Sequence, residues 1–198
     1  MVTQKTSTGS GRTKKMTITG MLGAISVVLG FTPLGFIPIG LANVTTMHIP
    51  VIIGAIVEGP FVGAMVGLIF GISSMIKSFM TPTPISFIFL NPLVSVVPRV
   101  LIGVLTYYFY TAVKKVIKNE KTVLFMSGAF GTLVNTVFVL GSAYMLYAQR
   151  IVESLGLPEG GAFAFFIGIA TTNGLPEMVV AAIVTAASVT AIKKMVKN

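Results

Sequence analysis

The sequence predicts an all-α integral membrane protein with six transmembrane helices, both termini cytoplasmic, and a re-entrant or capping segment before the last helix. Three observations carry this prediction. Of the 198 residues, 54% are apolar and only 10% charged, whereas a water-soluble domain carries about 25% charged residues. The apolar residues fall in long uncharged runs of about the 20 residues that a helix needs to cross hydrocarbon. The 14 Lys and Arg, against five Asp and Glu, gather in short clusters beside those runs. That is the pattern of topology determinants rather than of a nucleic-acid surface.

Residues 1–15 are polar and basic and lack the apolar core of a signal peptide, so they read as a disordered cytoplasmic tail. Residues 16–198 read as one transmembrane domain. The 42 residues from Met16 to Val57 contain no formal charge, enough for two spans. FTPLGFIPIG (Phe31 to Gly40), with two prolines and two glycines, divides them into helices expected at Thr17 to Gly30 and Asn43 to Val57. Between Glu58 and Lys77 lie 18 uncharged residues, in which Gly59, Gly63, Gly67 and Gly71 recur every fourth position. That ridge lets a neighbouring backbone approach closely.

A fourth span is expected from Pro92 to Val113, with Arg99 inside it, and a fifth within the 28 uncharged residues between Lys121 and Arg150. The sixth, Met178 to Ile192, is preceded by TTNGLPE and a short apolar piece, Ala162 to Ala170, too short to cross alone. Six crossings put Lys14, Lys15, Lys114, Lys115, Lys118, Lys121, Lys193, Lys194 and Lys197 on one side. Lys77 and Arg150 are left opposite, and the positive-inside rule makes the lysine-rich side cytoplasmic.

Composition also excludes chemistry. The chain has no cysteine and no aspartate, which removes disulfides, thiolate metal sites, aspartic dyads and Ser-His-Asp triads. No P-loop, HExxH or GxSxG occurs, so neither a metal, a cofactor nor a catalytic residue is expected. An enzyme acting on lipid head groups would need paired acids, and four of the five glutamates lie outside the apolar spans.

What remains is a set of polar residues expected at the outer half of the bundle. Arg99, inside an apolar span, costs about 2.5–3.5 kcal/mol on insertion scales. Either it awaits a carboxylate or phosphate, which its planar fork suits, or it snorkels outward or pairs with Glu177. Glu177 follows Pro176 and is explained equally well by the favourable dipole at a helix start. Asn43, Asn135 and Asn173 each donate and accept, which suits an amide-containing solute or interhelical bonding. His48 has no acidic partner nearby and reads as a hydrogen-bonded core residue that lines the site, not as a catalyst. Tyr107, Tyr108 and Tyr110 read as an interfacial belt.

NVTTMHIPVIIGAIVEGPFVGAMVGLIFGISS (Asn43 to Ser74), followed by PLVSVVPRVLIG (Pro92 to Gly103), resembles the substrate-binding S component of energy-coupling factor vitamin transporters. The resemblance extends over about residues 17–194 and is nearest to the pantothenate-binding members. It implies a subunit of a bacterial plasma membrane that binds one vitamin at its outer side. It also implies partners, a transmembrane coupling subunit and two cytoplasmic ATPases, and a toppling motion that releases the solute inside. The family's Ala-xxx-Ala docking pattern on the first helix corresponds here to Gly20 and Ala24. On this reading Arg99 meets the carboxylate, Asn135 and Asn173 meet amide or hydroxyl groups, and Asn43 and His48 line the pocket. The alternatives are another vitamin (folate, a pyridoxine relative, a thiamine precursor, cobalamin) or an accessory membrane subunit without a ligand.

Overall fold

The computed structural model of the protein describes residues 8–39, 42–158 and 160–197. The chain is helical almost throughout. Helix α1 (Thr8–Phe31) leads through a tight turn (Pro33–Gly35) into a two-stranded antiparallel hairpin, β1 (Phe36–Ile39) and β2 (Ala42–Thr45). Then follow α2 (Ile49–Glu58), α3 (Pro60–Met80), a second tight turn (Ser86–Leu90), α4 (Pro92–Ser95), α5 (Val97–Val116) and α6 (Glu120–Leu155). Helices α7 (Gly161–Ile169) and α8 (Leu175–Lys197) close the chain, joined by a π-helical turn (Ala170–Gly174). Among the described residues five helical segments are long and apolar enough to cross a membrane.

Helix α1 begins at Thr8, earlier than the expected Thr17, so Arg12, Lys14 and Lys15 belong to its first turns; residues 1–7 of the expected tail lie outside the described residues. Its far end is closed by Lys77, whose Nζ donates to Gly30 O at 2.6 Å, placing a cation on carbonyls that no helical N–H can reach. Pro33 then stops the helix. Gly35 lets the chain fold back, because a Cβ there would lie 2.0 Å from Leu29 O.

The second helix starts six residues later than expected. The uncharged run predicts helix from Asn43 onward, but Ala42 to Thr45 pair with Ile39 to Phe36 across the hairpin. Pro50 in the first turn fixes where the helix begins. With only ten residues, all buried from Ile49 to Ile56, α2 sits in the middle of the bundle and meets lipid nowhere along that stretch. Gly59 (φ 101°) makes the turn into α3.

The remaining ridge glycines do pack helices together. A Cβ on Gly67 would lie 2.2 Å from Arg99 O, one on Gly71 2.7 Å from Val96 Cα, and one on Gly63 3.0 Å from Gly103 Cα. Helix α3 thus lies backbone to backbone on α5. Gly128 does the same for α6 against Ala181 and Ala182 of α8.

The fourth span is broken at Val96, where Pro98 interrupts the ladder between α4 and α5. Likewise the expected separation of Ala162 to Ala170 from the last helix is corrected: α7 runs through the π turn into α8 without a loop. Pro176 cannot donate to Thr172 O, and a wider turn absorbs the missing bond. Helix α6, with 36 residues, is about 54 Å long, well beyond the ~30 Å of a hydrocarbon core, and its far half is packed. There Ile88, Val94, Val139, Ala143, Ile151 and Phe166 form a second apolar core.

Candidate functional site

Pro98 sets the geometry around Arg99. Lacking an N–H, it leaves Val94 O without its helical donor, and Nη1 of Arg99 donates to that carbonyl instead. The guanidinium carbon lies 5.5 Å from the Phe70 ring centroid and 5.6 Å from that of Phe89, a cation–π arrangement. The residue is 6% exposed. Its Nε is buried without a hydrogen-bond partner.

Glu177, the one acid expected at similar depth, is engaged elsewhere. Its Oε1 accepts from Thr45 N and from Thr45 Oγ1, both at 2.8 Å. The carboxylate therefore ties β2 of the hairpin to the start of α8. Among the described residues no carboxylate forms a salt bridge with Arg99, which disposes of the Arg99–Glu177 pair as an explanation of the buried charge.

His48 precedes α2 at its N-cap rather than lying one and a half turns within it. The ring is 1% exposed, and Nε2 lies 2.9 Å from Thr132 Oγ1 on α6. It is close enough to Arg99 to feel that charge, and Nδ1 is buried and unbonded. Asn135 lies one turn beyond Thr132 on the same helix face, half-buried, with Oδ1 buried and without a partner. Arg99, His48 and the Thr132–Asn135 face of α6 are thus brought together, each of the three expected residues retaining an unmatched polar atom.

Asn173 lies in the π turn, half-buried and engaged. The turn rests on α6 through Gly174, whose Cβ would lie 3.2 Å from Thr136 Cγ2, one residue beyond Asn135. Asn43 stands in β2 opposite Pro38; its side chain lies outside the described residues. Gly20 and Ala24 are on the exposed face of α1, and a Cβ on Gly20 would meet nothing within 4 Å.

Sequence reading missed the hydroxyls. Thr132, Thr106 and Thr46 are buried beside these groups or the hairpin, and Oγ1 of the last two has no partner. A threonine in an apolar helix ordinarily bonds its own preceding turn, so nothing in the sequence marks one that also reaches across to another helix.

Outer helix faces carry large apolar side chains, such as Met21, Val28, Val179 and Ile183, each more than half exposed. The interior holds the arginine, the histidine and the Asn135 amide, each with bonding capacity to spare. Together fold and site define a multi-pass membrane protein with a polar interior site. The sequence profile of the family described as "ECF transporter, substrate-specific component" matches residues 14–189, and the chain belongs to that family. It is 32% identical over 168 residues to the pantothenic acid transporter PanT of Lactococcus lactis subsp. cremoris, covering 78% of this chain and 80% of that one. It is 29% identical over 190 residues to the pantothenate transporter PanT of Leuconostoc mesenteroides, covering 90% and 91%.

Proposed function

We propose that this chain captures pantothenate at the outer end of its helix bundle and delivers it inward together with a transmembrane coupling subunit and two cytoplasmic ATPases. The observation that carries this reading is a buried guanidinium held by a single carbonyl bond and two aromatic faces, with no acid beside it among the described residues. A ligand carboxylate completes that charge. Asn135 and Asn173 face the amide and hydroxyl groups, and His48 and Asn43 line the pocket. The β1–β2 hairpin, fastened by Glu177, covers it. The likeness to two transporters named for pantothenate supports the choice of vitamin.

On the same reading α2 and the hairpin complete a sixth crossing, both termini are cytoplasmic, and the membrane is that of a bacterial cell. The open small-residue face at Gly20 and Ala24 receives the coupling subunit, since small side chains admit a partner helix closely.

Calorimetric titration of the purified chain tests the site. Wild type is expected to bind pantothenate tightly and to bind the analogue carrying CH2OH in place of the carboxylate far more weakly. Arg99→Ala should lose about ten- to a hundredfold in affinity for pantothenate, the worth of a charged hydrogen bond, with little loss for the alcohol. Equal affinity of wild type and Arg99→Ala for pantothenate would end the proposal. So would a vitamin panel in which a different member raises the melting temperature and pantothenate does not.

A further inference from the structure

A recess of about 840 Å³ opens at one end of the bundle, between the start of α1, the ends of α2 and α5, the start of α6 and the end of α8. Five lysines and two glutamates line it, and both acids are already spoken for. Lys14 Nζ lies 2.9 Å from Glu58 Oε1. Lys193 bonds Glu120 and also donates to Tyr110 Oη at 3.0 Å. Lys114 sits 5.6 Å from the Tyr110 ring centroid. Among the described residues no carboxylate pairs with Lys114, Lys118 or Lys194. Three like charges at one concavity repel each other unless an anion joins them.

We propose that this recess binds the phosphate of an anionic phospholipid headgroup. The lining is mixed: Ile18, Val57 and Ile192 contribute apolar surface alongside the lysines. The surrounding helix faces change from exposed apolar side chains, such as Met16 and Met21 on α1, to cations at this level. A phospholipid has the same order of parts, with acyl chains and glycerol below a phosphate, and basic pockets between transmembrane helices are suited to such headgroups. A soluble phosphoester would leave the apolar lining unused. The site is separate from the Arg99 cluster and stands whether or not pantothenate is the solute.

Native mass spectrometry of the full chain, released from bilayer discs of equal phosphatidylglycerol and phosphatidylcholine, tests this. Wild type is expected to retain phosphatidylglycerol several-fold over phosphatidylcholine. The triple variant K114Q/K118Q/K194Q should lose that preference, while K15Q/K115Q/K121Q, which removes three lysines outside the recess, should keep it. Equal retention by all three proteins overturns the proposal, as does equal loss in both variants, which would make the effect one of overall charge. Glycerol phosphate that displaces the lipid completely would assign the recess to a free phosphoester and overturn it too. A triple variant that holds lipid normally yet fails to assemble with the coupling subunit would make the recess a protein dock, again overturning it. Lys114→Gln alone, with its circular dichroism compared to wild type, serves if the triple variant does not fold, and the same loss of preference is expected.

Discussion

Thr132 Oγ1 lies 3.2 Å from Gly128 O within α6 and 2.9 Å from His48 Nε2, so its single hydrogen serves only one of the two. With that hydrogen on Gly128 O the oxygen accepts from Nε2–H and the buried Nδ1 is an acceptor; with it on Nε2 the ring proton is on Nδ1, which is then a donor. Either way the unbonded Nδ1 has one hydrogen bond to offer a hydroxyl or amide of a bound solute. The Thr132–His48 bond is also structural. Thr132→Val keeps the shape and removes the hydroxyl, stranding a buried ring nitrogen, and is expected to cost about 1–3 kcal/mol of stability. Thr132→Ser should cost less than half as much. Unfolding of the detergent-solubilised protein in denaturant measures both, and a Thr132→Val variant as stable as wild type would show that the bond holds nothing together.

Between elements, close approach is decided by glycines whose surroundings differ although their sequence spacing does not. Gly67 lies against the main-chain carbonyl of Arg99, so an added methyl must push α3 from α5 and shift the backbone that carries the guanidinium. Gly67→Ala is expected to destabilise by about 1–3 kcal/mol, as overpacked cores do, and to weaken the proposed pantothenate binding as well. Gly20→Ala, with open space around it, should be neutral or stabilising by up to about 1 kcal/mol, since alanine is the better helix former. Thermal unfolding of the two variants side by side checks the contrast, and equal melting temperatures would refute it.

The four-residue repeat was legible because small side chains on one helix face have one physical use, yet Gly59 fits the repeat and serves a turn instead. The break at FTPLGFIPIG was legible from its prolines. Its content was not: eight paired residues form too short a strand pattern to stand out from apolar helix, and β2 was absorbed into the helix after it. TTNGLPE likewise looked like a loop because Gly and Pro together usually are one, whereas the backbone met the missing proline donor with a π turn. At the site, the burial of Arg99 followed from a charge in an apolar run. The engagement of Glu177 by Thr45, 132 residues away in sequence, depends on long-range packing that no local pattern encodes.

Over the whole molecule, two ion pairs fix which helix ends share a level. Lys14 with Glu58 joins the start of α1 to the end of α2, and Lys193 with Glu120 joins the end of α8 to the start of α6. All four residues line one recess, so the start of α1 and the end of α8 stand at the same end of the bundle. A chain that enters and leaves at one end makes an even number of traverses. Five long segments alone would make five, and on the proposed topology α2 with its hairpin supplies the sixth. The proposed orientation puts the lysine-rich end, toward which the net charge of +9 is weighted, in the cytoplasm by the positive-inside rule. Because the chain has no cysteine of its own, single substitutions report this directly. In intact cells a membrane-impermeant maleimide is expected to label Thr81→Cys and Gln149→Cys. It should leave Lys15→Cys, Lys121→Cys and Lys194→Cys untouched until the membrane is opened. Labelling of Lys15→Cys but not Lys194→Cys from outside, or the reverse, would mean an odd number of crossings and remove α2 from the membrane-spanning set. Labelling of both, with Thr81→Cys protected, would invert the orientation and put the Arg99 site on the cytoplasmic side, where a subunit that captures its solute from outside cannot have it.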